Sequence, residues 1–99
     1  MKYLTLDKKN YLNQLGFTKF AIQSYVFAHD IIDILPHEIT TDESNYYFTI
    51  VKYNKNSYSA SYSIDTQDGS MNEVVISSEN ILDVLYEMLI YVIVKRYIY

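Results

Sequence analysis

Residues 56–64, NSYSASYSI, alternate between apolar and hydroxyl side chains. Tyr58, Ala60, Tyr62 and Ile64 fall on one side of an extended chain, and Ser57, Ser59, Ser61 and Ser63 on the other. That is the period of a strand. A second strand is expected just before it, over Tyr46–Tyr53 (YYFTIVKY), with the asparagines of Asn54-Lys55-Asn56 marking the turn between them. Asp65–Ser70 (DTQDGS) reads as another turn and Met71–Ser77 as a third, shorter strand. Short connections make these three neighbours an antiparallel meander.

Hairpin register decides which side chains share a face, because a slip of one residue exchanges every partner. If Asn54–Asn56 is a three-residue loop, Tyr53 opposes Ser57, and Thr49, Val51 and Tyr53 join the serines. A loop of two or four residues sets Tyr53 against Tyr58 and moves the serines beside Phe48 and Ile50. Core formation favours the first arrangement, since Phe48, Ile50, Ala60, Tyr62 and Ile64 then form one apolar surface. The outer face is expected to hold Tyr47, Thr49, Val51, Tyr53, Ser59, Ser61 and Ser63.

Helical spacing governs the rest. Thr5 or Asp7 can cap a first helix carrying Leu6, Tyr11, Leu12 and Leu15, and Gly16 suits its C-terminal left-handed position. Phe17, Ala21, Tyr25, Ala28, Ile32 and Leu35 recur every three or four residues, with Thr18 as a cap and Pro36 as a stop. A second helix is therefore expected there, although the β-branched and aromatic residues of FAIQSYVF also suit a strand over 20–27. His37–Asn45 reads as an acidic loop. Ser77 or Ser78 is expected to cap the last helix, with Glu79 in its first turn and Lys95 and Arg96 at its end. In that helix Leu82, Leu85, Tyr86, Leu89, Val92, Ile93 and Tyr97 can face the core, and Asp83 and Glu87 the solvent. The solvent stripe continues into Ile90, Tyr91, Val94 and Ile98. It is either covered by the N-terminal helices or left as a candidate contact between copies. The expected fold is one α+β domain spanning residues 1–99: two N-terminal helices, a three-stranded antiparallel meander, and a long C-terminal helix on one sheet face.

Composition adds a bias toward surfaces over catalysis. Twelve of the sixteen aromatic residues are tyrosine and none is tryptophan. Tyrosine beside serine is the composition of recognition surfaces, as well as of ordinary solvated sheets. The absence of cysteine excludes disulfides and thiolate metal sites. The longest apolar run, Met88–Val94, is too short to cross a bilayer, and the N-terminus lacks a secretory pattern, so a soluble, cytoplasmic chain is expected. The net charge is −4. Its distribution is uneven: residues 21–94 hold eleven carboxylates against only Lys52 and Lys55. Such a body repels phosphate backbones and steers toward basic partners.

Reactive constellations are sparse. His29 lies beside Asp30 and four residues from Asp33, too few ligands for a metal site. His37 beside Glu38 has no nucleophile to serve. Asp65, Asp68 and Gly69 have the wrong count for a calcium loop, and two glycines cannot build a phosphate loop. Neither catalysis nor a cofactor or metal is expected.

The N-terminal NYLNQLGF, the hairpin YYFTIVKYNKNSYSASYSI, and VVISSENILDVL leading into the last helix give a layout that resembles small immunity proteins encoded beside bacterial polymorphic toxins, including those of type VII secretion systems. Where related central strands commonly carry tryptophan, this chain has Tyr or Phe. The resemblance implies a cytosolic protein that binds and blocks a cognate toxin, and an acidic body suits a basic nuclease. The expected contact residues are Tyr47, Tyr53, Ser59 and Ser61, with Asp65, Asp68 and Glu73 at the rim. A phage-encoded inhibitor of a host defence nuclease would use the same physics. A homodimeric interaction module built on Ile90, Tyr91, Val94 and Ile98 is the third possibility.

Overall fold

In the computed structural model, which describes residues 3–98, the chain runs through α1 (Leu6–Gln14), α2 (Ala28–Ile34), β1 (Glu38–Thr40), β2 (Asn45–Asn54), β3 (Ser57–Thr66), β4 (Gly69–Ser78) and α3 (Ile81–Val94). The four strands form one antiparallel sheet in sequence order. The architecture is α+β, as expected, with one strand more than the sequence reading allowed. The molecule measures 45 × 34 × 17 Å. So thin a third dimension accommodates the sheet and a single helical layer on one face.

Local chemistry explains the helix ends. The Thr5 hydroxyl accepts from the Lys8 N–H at 3.3 Å and starts α1. Gly16, at φ +90°, ends it, with Phe17 N–H donating to the Leu12 carbonyl at 2.9 Å and Gly16 N–H to that of Asn13 at 3.0 Å. At α3 the cap is Asn80, not Ser77 or Ser78: its Oδ1 accepts from Leu82 N–H at 2.9 Å. Both serines are instead held in β4 by pairing with β3, and Asp83 replaces Glu79 as the first-turn acid.

α3 closes with the same bond pattern as α1, Tyr97 to Val92 at 2.8 Å and Arg96 to Ile93 at 3.0 Å. Here an arginine takes the left-handed position, at φ +61°. A Cβ is disfavoured in that conformation. Arg96→Gly is therefore expected to stabilise the chain by about 0.5–1 kcal/mol, or roughly 2–8 °C in Tm. Thermal melts of the two proteins check this, and a lower Tm for the glycine variant would show that the arginine side chain contributes more than its backbone costs.

The expected second helix is corrected. Only Ala28–Ile34 is helical, and residues 18–25 form turns with no strand pairing. The segment's buried residues are Phe17, Phe20 and Val26, whereas Tyr25 is exposed, as is Ile32 in α2. Leu4 N–H donates to the Val26 carbonyl at 2.9 Å, and Tyr3 bridges to Phe27. Lys9 Nζ then caps the Gln23 carbonyl at 2.8 Å. These tertiary bonds outweigh the helical spacing. Residues 37–45 are likewise not wholly a loop, because Glu38–Thr40 pairs with Asn45–Tyr47 as an edge strand.

The core lies between α3 and the sheet, closed at the sides by Leu4, Leu12, Phe17, Phe20, Val26, Ile31 and Leu35. α3 is buried nearly all round: Val84 and Met88 join the expected Leu82, Leu85, Tyr86, Leu89, Val92 and Ile93. From the sheet come Ile39, Tyr46, Ala60 and Tyr62, with Phe48, Tyr58, Ile64, Val74 and Ile76 partly buried. Ile50 shares that face but stays exposed, as does Leu6 of α1. Lys8 fastens α1 to α3, with Nζ 2.7 Å from Asp83 and 5.0 Å from the centre of the Tyr86 ring.

Candidate functional site

β2 and β3 pair Tyr47 with Ser63, Thr49 with Ser61, and Val51 with Ser59, the arrangement that core formation favoured. The turn, however, has two residues, Lys55 and Asn56, with Asn54 opposite Ser57. Tyr53 is left over as a bulge between Lys52 and Asn54. The bulge takes up the one-residue difference, so a two-residue turn coexists with the register expected of a three-residue loop. The Asn54 carboxamide accepts from Asn56 N–H at 2.8 Å and fixes the turn.

β3 is central, so its odd-numbered residues lie in the middle of the sheet face opposite the helices. On β4, Ser77 faces Ser59, Val75 faces Ser61, and Asn72 faces Ser63. On the other side, Glu38 of β1 faces Tyr47. The residues that pack under the helices come instead from the alternate positions of these strands. The open face thus carries Glu38, Tyr47, Thr49, Val51, Ser61, Ser63 and Val75, with Ser59 sunk among them at 5% exposure. Between Val51 and Ser77, a side chain that small has little surface left to offer a partner.

The expected contact residues divide between the two ends of this face. Tyr47 stands at one end, its ring 6.1 Å from that of His37. The Glu38 carboxylate beside its hydroxyl raises the tyrosine pKa, through hydrogen bonding first and then through its charge. Asp65 is at the same end, accepting from the Ser70 hydroxyl at 2.9 Å. Asp68 lies in the adjoining turn and Asp42 and Glu43 in the turn between β1 and β2. Tyr53 is at the opposite end, near Lys55, six residues or roughly 20 Å along β2 from Tyr47, whereas Lys52 turns to the other side of the sheet, over the Tyr58 ring. Glu73 belongs to neither group. It is the bulged residue of β4, and its charge adds to the rise that burial gives the pKa values of Tyr46 and Tyr91 on the helix-covered side.

The candidate contact between copies also divides. Ile90, Tyr91 and Val94 line a groove of about 350 Å³ with Val74, Ile76, Glu87 and Lys95. Ile98 lines a different hollow, with Phe17, Lys19 and Ile34.

A surface that the helical reading concealed appears at the N-terminal side. Tyr3 and Tyr25 meet edge to face at 4.9 Å, and Phe27 lies 6.1 Å from Tyr3 and stacks 5.8 Å from His29. All four rings are exposed, and Ile22, in the turn that precedes Tyr25 in the chain, is 99% exposed. The only sequence signal was the aromatic, β-branched character of FAIQSYVF. His29 is also 3.4 Å from Asp30, whose carboxylate accepts from Phe27 N–H at 2.8 Å. These contacts make the pair part of the α2 start. Among the described residues no three metal-ligating side chains come together, and no helix is long and apolar enough to cross a membrane. Neither protein-family models, nor curated proteins, nor solved structures give a match to this chain.

Proposed function

We propose that this chain binds and inhibits a protein partner, as an immunity protein that neutralises a basic bacterial toxin. The observation that carries the reading is a sheet face without helical cover whose acidic end surrounds a half-exposed tyrosine. Tyr47 is 44% exposed, yet its ring packs 6.1 Å from that of His37 and it pairs across the strands with Glu38. Its ring is thereby oriented before any partner arrives, which lowers the ordering cost of binding. Glu38, Asp42, Glu43, Asp65 and Asp68 supply the field that draws in a cationic surface. Inhibition of this kind needs occlusion of the toxin and no chemistry from the inhibitor.

Co-expression with the product of a neighbouring toxin gene tests the proposal. A stable complex and restored growth are expected; a toxin that remains active and unbound removes the reading. In that complex, replacing Asp65 and Asp68 together by Asn is expected to lower the association rate about tenfold at low ionic strength. The difference should shrink as salt screens the field. Stopped-flow binding across a salt series checks this, and a rate unaffected by the double change would move the approach path away from this end.

A further inference from the structure

β4 is an edge strand, and among the described residues its far side has no partner in the sheet. Past the bulge at Glu73 it offers an uninterrupted stretch, Val74–Ser78, without proline or charge. Such an edge invites pairing with another strand unless it is covered. Beside it runs the apolar groove of Val74, Ile76, Ile90, Tyr91 and Val94. Val94 is 59% exposed although it is the last residue of a helix otherwise buried nearly all round.

We propose that two copies of this chain associate by pairing β4 with β4 and α3 with α3 about a two-fold axis, giving one continuous sheet of twice four strands. Two features of the groove select a second copy as the occupant. The first is charge. Glu87 and Lys95 sit at the two ends of the groove, four residues before and four after Tyr91. Among the described residues neither forms an ion pair within the chain. An antiparallel α3 pair centred on Tyr91 brings each Glu87 opposite the other copy's Lys95, so the pattern is complementary to itself. On the strand, antiparallel pairing of Val74–Ser78 centres on Ile76, which lines the same groove as Tyr91. One axis serves both elements.

The second feature is spacing. α3 packs against β3 and β4, above the gap between them. Adjacent strands lie about 4.8 Å apart, so a helix over that gap stands about 4.8 Å from an axis running midway between β4 and its copy. The two α3 helices are then roughly 9.6 Å apart, within the 8–10 Å at which helices pack. Their side chains close over Val74 and Ile76 of both copies. Both open faces lie on the same side of the joined sheet, which would let the dimer hold two partners.

Sedimentation equilibrium of the chain alone tests this without any toxin, so its outcome is independent of the inhibitor reading. The mass is expected to rise from that of the monomer to twice that value between low micromolar and millimolar concentration. Glu87→Lys and Lys95→Glu should each raise the dissociation constant at least about fivefold, by setting like charges opposite each other. The double reversal should restore association, a recovery that no loss of fold can mimic. Val94→Glu, at an exposed position, should give a monomer with unchanged circular dichroism. A wild-type chain that stays monomeric throughout overturns the proposal and leaves the groove to a different chain. So does a double reversal as weak as either single change.

Discussion

Tyr62→Ala is expected to cost about 3–5 kcal/mol, a large share of the roughly 5–15 kcal/mol that holds a domain of this size together. Tyr62 is fully buried on the central strand, its ring 5.4 Å from that of Phe48 and its strand neighbours Phe48 and Val74 on either side. Its hydroxyl donates to the Pro36 carbonyl at 2.6 Å, tying the sheet to the segment that leaves α2. Truncation removes the ring, opens a cavity beneath α3 and leaves that carbonyl unpaired. A fall in Tm of roughly 15–30 °C follows. Tyr62→Phe keeps the ring and should lose only about 1–2 kcal/mol, the cost of the orphaned acceptor. Urea denaturation followed by circular dichroism separates the two. A loss below about 1 kcal/mol for alanine would mean that the ring is not part of the core.

Burial also pushes the Tyr62 hydroxyl pKa well above its ordinary value of 10. Above pH 10 the unfolded chain releases this proton while the folded chain keeps it, so the folded state binds more protons. Stability from this source is intact below pH 10 and is lost as pH rises toward the folded value. Tyr62→Phe removes that part of the alkaline slope. The remainder belongs to residues such as Tyr46, Tyr86 and Tyr91, whose pKa values burial also raises.

The second large effect concerns recognition. In the complex proposed above, Tyr47→Ala is expected to weaken binding by about 2 kcal/mol, roughly thirtyfold, as aromatic anchors at interface centres do. Tyr53→Ala separates two versions of the site. Tyr53 is 67% exposed on a bulge, at the end of β2 near Lys52 and Lys55. If the partner covers the full length of β2, the two losses are independent and add in the double variant, because the residues stand roughly 20 Å apart. If it covers the acidic end alone, Tyr53→Ala leaves the affinity unchanged. Calorimetric titration of the three variants decides between them, and wild-type affinity in all three would sink the open-face site itself.

The sheet register was legible in the sequence because a two-residue period leaves little freedom once one face must be apolar. Phe48, Ala60, Tyr62 and Ile64 could share a surface in only one alignment. The turn was not legible, because a bulge at Tyr53 delivers the same alignment from a shorter loop. The stretch before α2 departs from its helical spacing for a related reason. Phe17, Ala21, Tyr25 and Ala28 recur at helical intervals, but Leu4 and Lys9 satisfy the carbonyls of Val26 and Gln23 from outside. With those groups paired, the backbone no longer needs helical bonds there. The aromatic cluster of Tyr3, Tyr25 and Phe27 became visible only with that correction. β1 carries no periodic signal of its own, because three residues are too few, and its pairing partner is supplied by β2.

The contact surface shows the same division. The sequence could assign Tyr47, Ser61 and Asp65 to an outward face by counting along the strands. It could not place them relative to Tyr53, Asp68 and Glu73, because bulges at both outer neighbours of β3 shift what lies beside what. By itself the sequence determined the class of fold, the core face of the sheet, the ends of α1, and the acidic character of the body. These follow from periodicity, left-handed caps and charge count, which act locally or sum over the chain. Tertiary structure alone decided where the helix before Pro36 begins and that Glu38 of β1 stands beside Tyr47. It also decided that Glu87 and Lys95 flank one groove. Each of these depends on hydrogen bonds and packing between residues far apart in the chain.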